Sequence, residues 1–265
     1  MTTPEIPQPG PGTGWERARV VLRQPGRPDT PLVAGPDDEG IVSALAGDLP
    51  RTFSQRALDT RLTAWLYDRI RDQLLRVAGM PDFATEVAAV AERLQPAPGD
   101  VVLDLACGHG NFTVAWAERV GPNGLVIGVD LSRAMLRRAA RRVRRARLDN
   151  VVLVHGDAHH LPLASASADR VNCSGGFHAF PDLTRVLGEI ARVAKPGAPL
   201  TASTFAQAPE DRLAKAKRLA NTAFALHFVP LAGLDGQLNA AGFSDYQWSM
   251  RGGAFAYLSA RSAEV

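Results

Sequence analysis

Three aspartates, Asp104, Asp130 and Asp157, each follow a short apolar run, and a carboxylate at such a tip can accept hydrogen bonds from an ammonium group or from paired hydroxyls. Asp104 leads into Gly108-His109-Gly110, where glycine reaches positive φ freely and leaves room for a ligand to approach backbone amides. Three histidines lie in segments after later runs. His159 and His160 are more simply bystanders of their loop, while His178 is the acid-base candidate, since imidazole exchanges a proton near neutral pH. They lack a metal-ligand spacing, so no metal is expected.

The elements that must position these groups follow from the pattern of apolar residues. Val101 to Leu105 reads as a strand entering a glycine turn and then a helix over Phe112 to Val120. A second strand runs Leu125 to Val129 and ends in Asp130. A third, Val151 to Val154, enters Gly156-Asp157-Ala158, a fourth spans Ala168 to Cys173, and a fifth Leu200 to Phe205. Strand and helix alternate, which predicts an α/β fold with a doubly wound, mostly parallel sheet whose ligands gather at the carboxyl ends of the strands. Tyr246 to Met250 and Ala254 to Ala260, joined at Arg251-Gly252-Gly253, read as a closing antiparallel hairpin.

A Gly-x-Gly turn alone is equally a plain strand-to-helix connection. A dinucleotide site wants a third Gly or Ala three residues on, where Thr113 stands, which argues against a nicotinamide enzyme. Asp104 suits a cationic amine better than a pyrophosphate, and Asp130 is placed to accept from both hydroxyls of a ribose.

With these residues in view, the chain resembles the class I S-adenosylmethionine-dependent methyltransferases, in flavour those of ubiquinone and menaquinone biosynthesis. Asp104-Leu-Ala-Cys-Gly-His-Gly is similar to the family's first motif, Gly128-Val-Asp130-Leu-Ser to its second, and Gly156-Asp157-Ala158 with Leu161-Pro162 to its third. Leu187 to Gly197 is similar to its leucine-rich helix and Lys-Pro-Gly turn. His109 departs from the Thr or Ser of many members.

The resemblance implies a seven-stranded Rossmann-like sheet with an N-terminal helical cap, and S-adenosylmethionine held by Asp104, Ala106, Cys107, Gly108, Gly110, Asp130, Leu131, Met135, Asp157, Ala158, Cys173 and Ser174. Asp104, Asp130 and Asp157 would converge on the ligand's amino-acid end, sugar and base. Leu131 and Met135 are of the type that flanks an adenine ring, with Ser132 as the N-cap of the helix that follows. Residues just after Ser174 would face the acceptor, so Phe177 and His178 join the expected substrate pocket with Phe53, Tyr67, Phe224, His227 and Phe228. His178 is the candidate base for a hydroxyl nucleophile. The alternative for each aromatic is ordinary core packing. The activity implied is methyl transfer to oxygen or carbon of a small apolar or aromatic metabolite, yielding S-adenosylhomocysteine. Alternatives from other classes are a cyclase or scaffold that binds the cofactor without transfer, and an RNA methyltransferase.

The chain has 265 residues, 46% of them hydrophobic, and a formal net charge of +3. Its apolar runs fall short of the ~20 residues of a membrane helix, and its start has no secretory pattern, so a cytoplasmic protein, monomer or homodimer, is expected. Cys107 and Cys173 fall on ligand-side turns and suit free thiols. Arg133, Arg137, Arg138, Arg141, Arg142, Arg144, Arg145 and Arg147 crowd one helix opposite Ala139, Ala140, Val143 and Ala146, which reads as a solvated outer face. Without interleaved aromatics they make a poor nucleic-acid platform.

Residues 1–50 are rich in proline and glycine and read as a mobile or loosely draped segment, with one short strand at Val20-Val21-Leu22. Residues 51–98 form the helical cap, with a long amphipathic helix from Ser54 to Ala78 and a second from Phe83 to Leu94. Residues 99–265 form the catalytic domain, carrying a cover helix at about 208–228 and a short helix at Leu234 to Ala241.

Overall fold

The computed structural model describes residues 13–45, 82–208, 228–251 and 255–264. In chain order these residues form α1 (Gly14–Ala18), β1 (Arg23–Gln24), β2 (Arg27–Pro31), β3 (Ile41–Ala44), α2 (Phe83–Leu94), β4 (Val101–Leu105), α3 (Asn111–Val120) and β5 (Leu125–Asp130). They continue as α4 (Arg133–Ala146), β6 (Val151–Gly156), β7 (Arg170–Ser174), α5 (Leu183–Val193), β8 (Pro199–Gln207), β9 (Val229–Pro230), α6 (Leu234–Ala240), β10 (Phe243–Arg251) and β11 (Phe255–Ser262). Helix starts follow local chemistry: Asp82 accepts from the Thr85 amide at 2.9 Å, Ser132 from Met135 at 3.3 Å and Asp182 from Arg185 at 3.0 Å.

The apolar runs become a sheet ordered β10-β11-β8-β7-β4-β5-β6-β3, with β9 added beside β8. Pairs among β3 to β8 are parallel, and β11 and β10 run antiparallel at one side. This is the mostly parallel, Rossmann-like sheet expected, and among the described residues it carries two strands beyond the seven expected. The additions are β9 and β3, each too short to stand out as an apolar run. The strand order reverses between β4 and β7, and such a switch point opens a crevice at the carboxyl ends of the strands.

Helices cover both faces of the sheet. On one face α2 and α3 bury Val90, Leu94, Phe112 and Trp116, the Phe112 and Trp116 rings stacked at 5.6 Å. On the other, α5 contributes Val186, Leu187, Ile190 and Val193 to the larger core, with Ala18, Val21 and Leu22 from α1 and the turn after it.

The described part of the N-terminal segment is therefore not loosely draped. Its few apolar residues cluster, and Arg17, 3% exposed, donates to the carbonyls of Pro122 and Gly124, each at 2.7 Å. The strand expected at Val20 to Leu22 is a turn with a single bridge from Leu22 to Leu163, and β1 begins one residue later. β3 lies parallel to β6, pairing Ile41 with Leu153 and Ala44 with Gly156. The acidic loop between β2 and β3 reaches α4, where Asp37 pairs with Arg133, and Glu39 accepts from Arg137 at 2.8 Å. That loop covers part of the arginine face. Ala146, expected on the buried stripe, is exposed at the end of α4.

The expected helix from Ser54 to Ala78, the cover helix at 208–228 apart from its two end residues, and the Gly252-Gly253 link lie outside the described residues. No helix among the described residues is long and apolar enough to cross a membrane.

Candidate functional site

A cavity of about 210 Å³ opens at the switch point. Asp130 is its best-defined polar group. The end of β5 presents its carboxylate, whose Oδ2 accepts from the Gly108 amide and whose Oδ1 accepts from the Ser132 amide, both at 2.8 Å. A carboxylate can accept from several donors at once, and this one lies on the cavity wall. Leu131 and Met135 lie on the same wall. His155, a residue missed from sequence, donates Nε2–H to the Leu131 carbonyl at 3.1 Å and so fixes this corner.

Next to β5, the turn after β6 brings Asp157 and Ala158 to the wall. Asp157 Oδ1 takes the His159 amide at 3.1 Å and His159 Nδ1 at 2.7 Å. His159, set aside as a bystander, is on the wall as well. Ala106, Cys107, Gly108 and Ser174 complete the set of expected residues that the structure gathers around this space.

Asp104 is not among them. It is 1% exposed, lies outside the cavity wall, and has its oxygens engaged by Thr113 Oγ1 at 2.6 Å and Asn172 Nδ2 at 2.8 Å. Of the three carboxylates expected to converge, the structure thus places Asp130 and Asp157 on the cavity wall and buries Asp104. Burial is the leading cause that raises the Asp104 carboxyl to about 6, with the negative charge of Asp130 adding to it against the two donors. Asn172 in turn accepts from Ser174 Oγ at 3.0 Å and Thr201 Oγ1 at 3.2 Å. A closed polar network therefore lies beneath the cavity.

Gly110 and Cys173 also leave the wall. Gly110 has φ 80°, and a Cβ there would stand 2.8 Å from the Ala139 Cβ, so this glycine serves the close approach of α3 and α4. Cys173 is fully buried on β7, and burial pushes its thiol, like that of Cys107, well above the ordinary range. Ala106 has φ 53°, an unusual backbone for a residue with a Cβ.

Of the expected substrate pocket, Phe53, Tyr67, Phe224 and His227 lie outside the described residues. Phe177 turns into the core at 2% exposure, and Phe180, 6.4 Å from it, takes the wall position instead. His178 is half-buried off the cavity wall, its Nδ1 3.2 Å from Thr204 Oγ1 and its ring edge-on to Phe205 at 5.0 Å. Phe228 meets the same Phe205 ring at 5.8 Å, so His178 and Phe228 join one aromatic row. Phe83, at the start of α2, reaches the cavity together with Phe112, and no local signal separated either from core.

A crevice at a switch point, bordered by a glycine turn and by carboxylates at strand ends, is the kind of place where Rossmann-like sheets take their ligands. Comparison with known proteins identifies the kind: the family described as methyltransferase domain matches residues 96–241, and the chain belongs to it. It is 37% identical over 135 residues to a demethylmenaquinone methyltransferase of Anoxybacillus flavithermus, which covers 50% of this chain and 57% of that enzyme. The chain spans less than two thirds of the length of such curated relatives.

Among solved structures, a phosphoethanolamine N-methyltransferase 2 of Haemonchus contortus in complex with S-adenosyl-L-methionine superposes with a TM-score of 0.65. It is 17% identical and covers 82% of this chain and 61% of that one. The [4+2]-cyclase SpnF gives 0.61 at 21% identity, with 82% and 98% covered. Both likenesses are of fold.

Proposed function

We propose that this chain binds S-adenosylmethionine in the cavity at the switch point and methylates an oxygen or carbon of a small, quinone-like acceptor. The observation that carries this reading is Asp130, a carboxylate held at the cavity by the amides of Gly108 and Ser132 and bordered by the apolar side chains of Leu131 and Met135. That arrangement fits a ribose next to a flat base. Asp157, from the end of the neighbouring strand β6, suits the base's exocyclic amine, and the turn from Ala106 to Gly108 with Ser174 suits the amino-acid end. Similarity to demethylmenaquinone methyltransferases supports a quinone-like acceptor.

When bound, S-adenosylmethionine supplies an electrophilic methyl on sulfur for direct displacement. The chain's own residues position and shield. Phe83, Phe112 and Phe180 present rings at the cavity that exclude water and favour an apolar partner. For an acceptor with an O–H, the candidate base is His178, whose loop carries the wall residues Ala179 and Phe180 while its own ring lies off the wall against Thr204 and Phe205.

Incubation with methyl-labelled S-adenosylmethionine and a demethylated quinol, or a metabolite extract, tests the proposal. Label is expected in the small-molecule fraction. Label in RNA would overturn the acceptor class, and cofactor binding without any transfer would overturn the methyltransferase reading in favour of a binding scaffold or cyclase.

A further inference from the structure

The carboxylate of Asp157 is flanked by two imidazoles. His159 donates to Oδ1 from Nδ1 at 2.7 Å, and its own backbone amide reaches the same oxygen at 3.1 Å. A carboxylate accepts only, so the His159 proton resides on Nδ1. On the other side, His160 Nδ1 stands 3.7 Å from Oδ2 and is buried with no hydrogen-bond partner. The guanidinium of Arg185 donates to His160 Nε2, which leaves that ring's proton on Nδ1, facing Asp157. Arg185 Nε also holds the His159 carbonyl at 3.1 Å, bracing the turn from α5.

Thus Oδ1 is held by the protein at hydrogen-bond distance, while His160 Nδ1 stands beyond that distance from Oδ2, which is the oxygen we assign to the ligand. The His159 ring is itself restrained, lying edge-on to Phe180 at 6.3 Å. A freely rotating aspartate could swing away from an unsuitable base. One pinned through Nδ1 cannot.

We infer that His159 is a positioning residue for the base-reading carboxylate. By fixing Asp157 it makes the site select a purine with an exocyclic amino group, a donor toward Oδ2, over a 6-oxo purine, whose carbonyl would confront the carboxylate with a second acceptor. This rests on the reading that Asp157 meets the base of S-adenosylmethionine, and the experiment separates the two.

Affinities for S-adenosylhomocysteine and its 6-oxo analogue, S-inosylhomocysteine, are measured by calorimetry on the full chain, for the parent protein and for H159A, H159F and H159N. The parent is expected to prefer the adenosyl form strongly. H159A should reduce that preference roughly tenfold, as expected for one lost hydrogen bond to a charged group. H159F keeps a ring against Phe180 without the N–H, so it should lose the preference too, and it serves if H159A does not fold. H159N, whose amide can donate from a similar place, should retain most of it. If the parent binds neither compound, the cofactor reading itself fails. If the parent discriminates and the preference is unchanged in H159A or H159F, His159 is only a packing residue and this inference fails alone.

Discussion

Asp104 and Asn172 are register partners across the strand pair at the switch point, and the Asn172 amide donates to the Asp104 carboxylate at 2.8 Å. One residue from each of the two adjoining strands closes the floor, and the hydroxyls of Thr113, Thr201 and Ser174 complete the network. Its members are buried apart from Ser174.

Removing Asn172 should therefore be felt in stability before it is felt in binding. N172A leaves Asp104 with one donor fewer and the two hydroxyls without their acceptor, a loss of about 2–4 kcal/mol. Urea unfolding measures it. A change within the error of the parent would mean that the network contributes nothing net.

The raised Asp104 carboxyl gives a pH signature. Its folded value, about 6, exceeds the unfolded value, so the folded state holds this proton longer. The group's contribution is fully present below the unfolded value near 3.8 and is lost as pH rises through about 6. The loss amounts to about 3 kcal/mol, at about 1.4 kcal/mol per pH unit of separation. Comparing the parent with D104N from pH 4.5 to 7.5 removes the background of other carboxylates. The parent should lose stability relative to D104N as pH rises, and a flat difference would show that Asp104 does not titrate in this window.

Gly110 should tolerate no side chain. G110A combines a left-handed backbone with a Cβ 2.8 Å from the Ala139 Cβ and 3.0 Å from its Cα. A destabilisation of about 2–4 kcal/mol is expected from the two terms together. Adding A139G should recover only part of it, since glycine inside a helix costs about 1 kcal/mol. Thermal unfolding of the single and double variants distinguishes clash from backbone strain.

Asp130 should divide the other way. D130A removes the acceptor of the Gly108 and Ser132 amides and the group we assign to the ribose. S-adenosylhomocysteine affinity should fall at least roughly tenfold, with a cost to stability of about 1–2 kcal/mol. Equal affinity in calorimetry would remove Asp130 from the site.

Much of this was legible from residue order. Val101 to Leu105, Leu125 to Asp130 and Val151 to Gly156 are runs dense enough in branched residues to declare buried parallel strands, and aspartates at their tips declared a rim. Ile41 to Ala44 was not legible, since four residues after a glycine-ended turn carry no periodicity, and a neighbouring edge supplies the reason for them to extend. Side-chain direction was equally hidden. Which way Asp104, Phe177 and His159 turn depends on partners distant in sequence, namely Asn172, the large core and Phe180, or on a tight local turn. The glycine at 110 was recognised for its freedom, while its neighbour Ala139 supplies the second reason for it.

The segment ahead of the family-matching region contributes β3, whose backbone occupies the outer side of β6. Cut back to residues 96–241, the protein would present that side as an open row of amides and carbonyls, and β8 would lose β11 at the other end. Such a fragment would be prone to stack upon itself, so the family-defining portion is a poor choice for isolated expression, and solubility rather than chemistry would be the first property it forfeits.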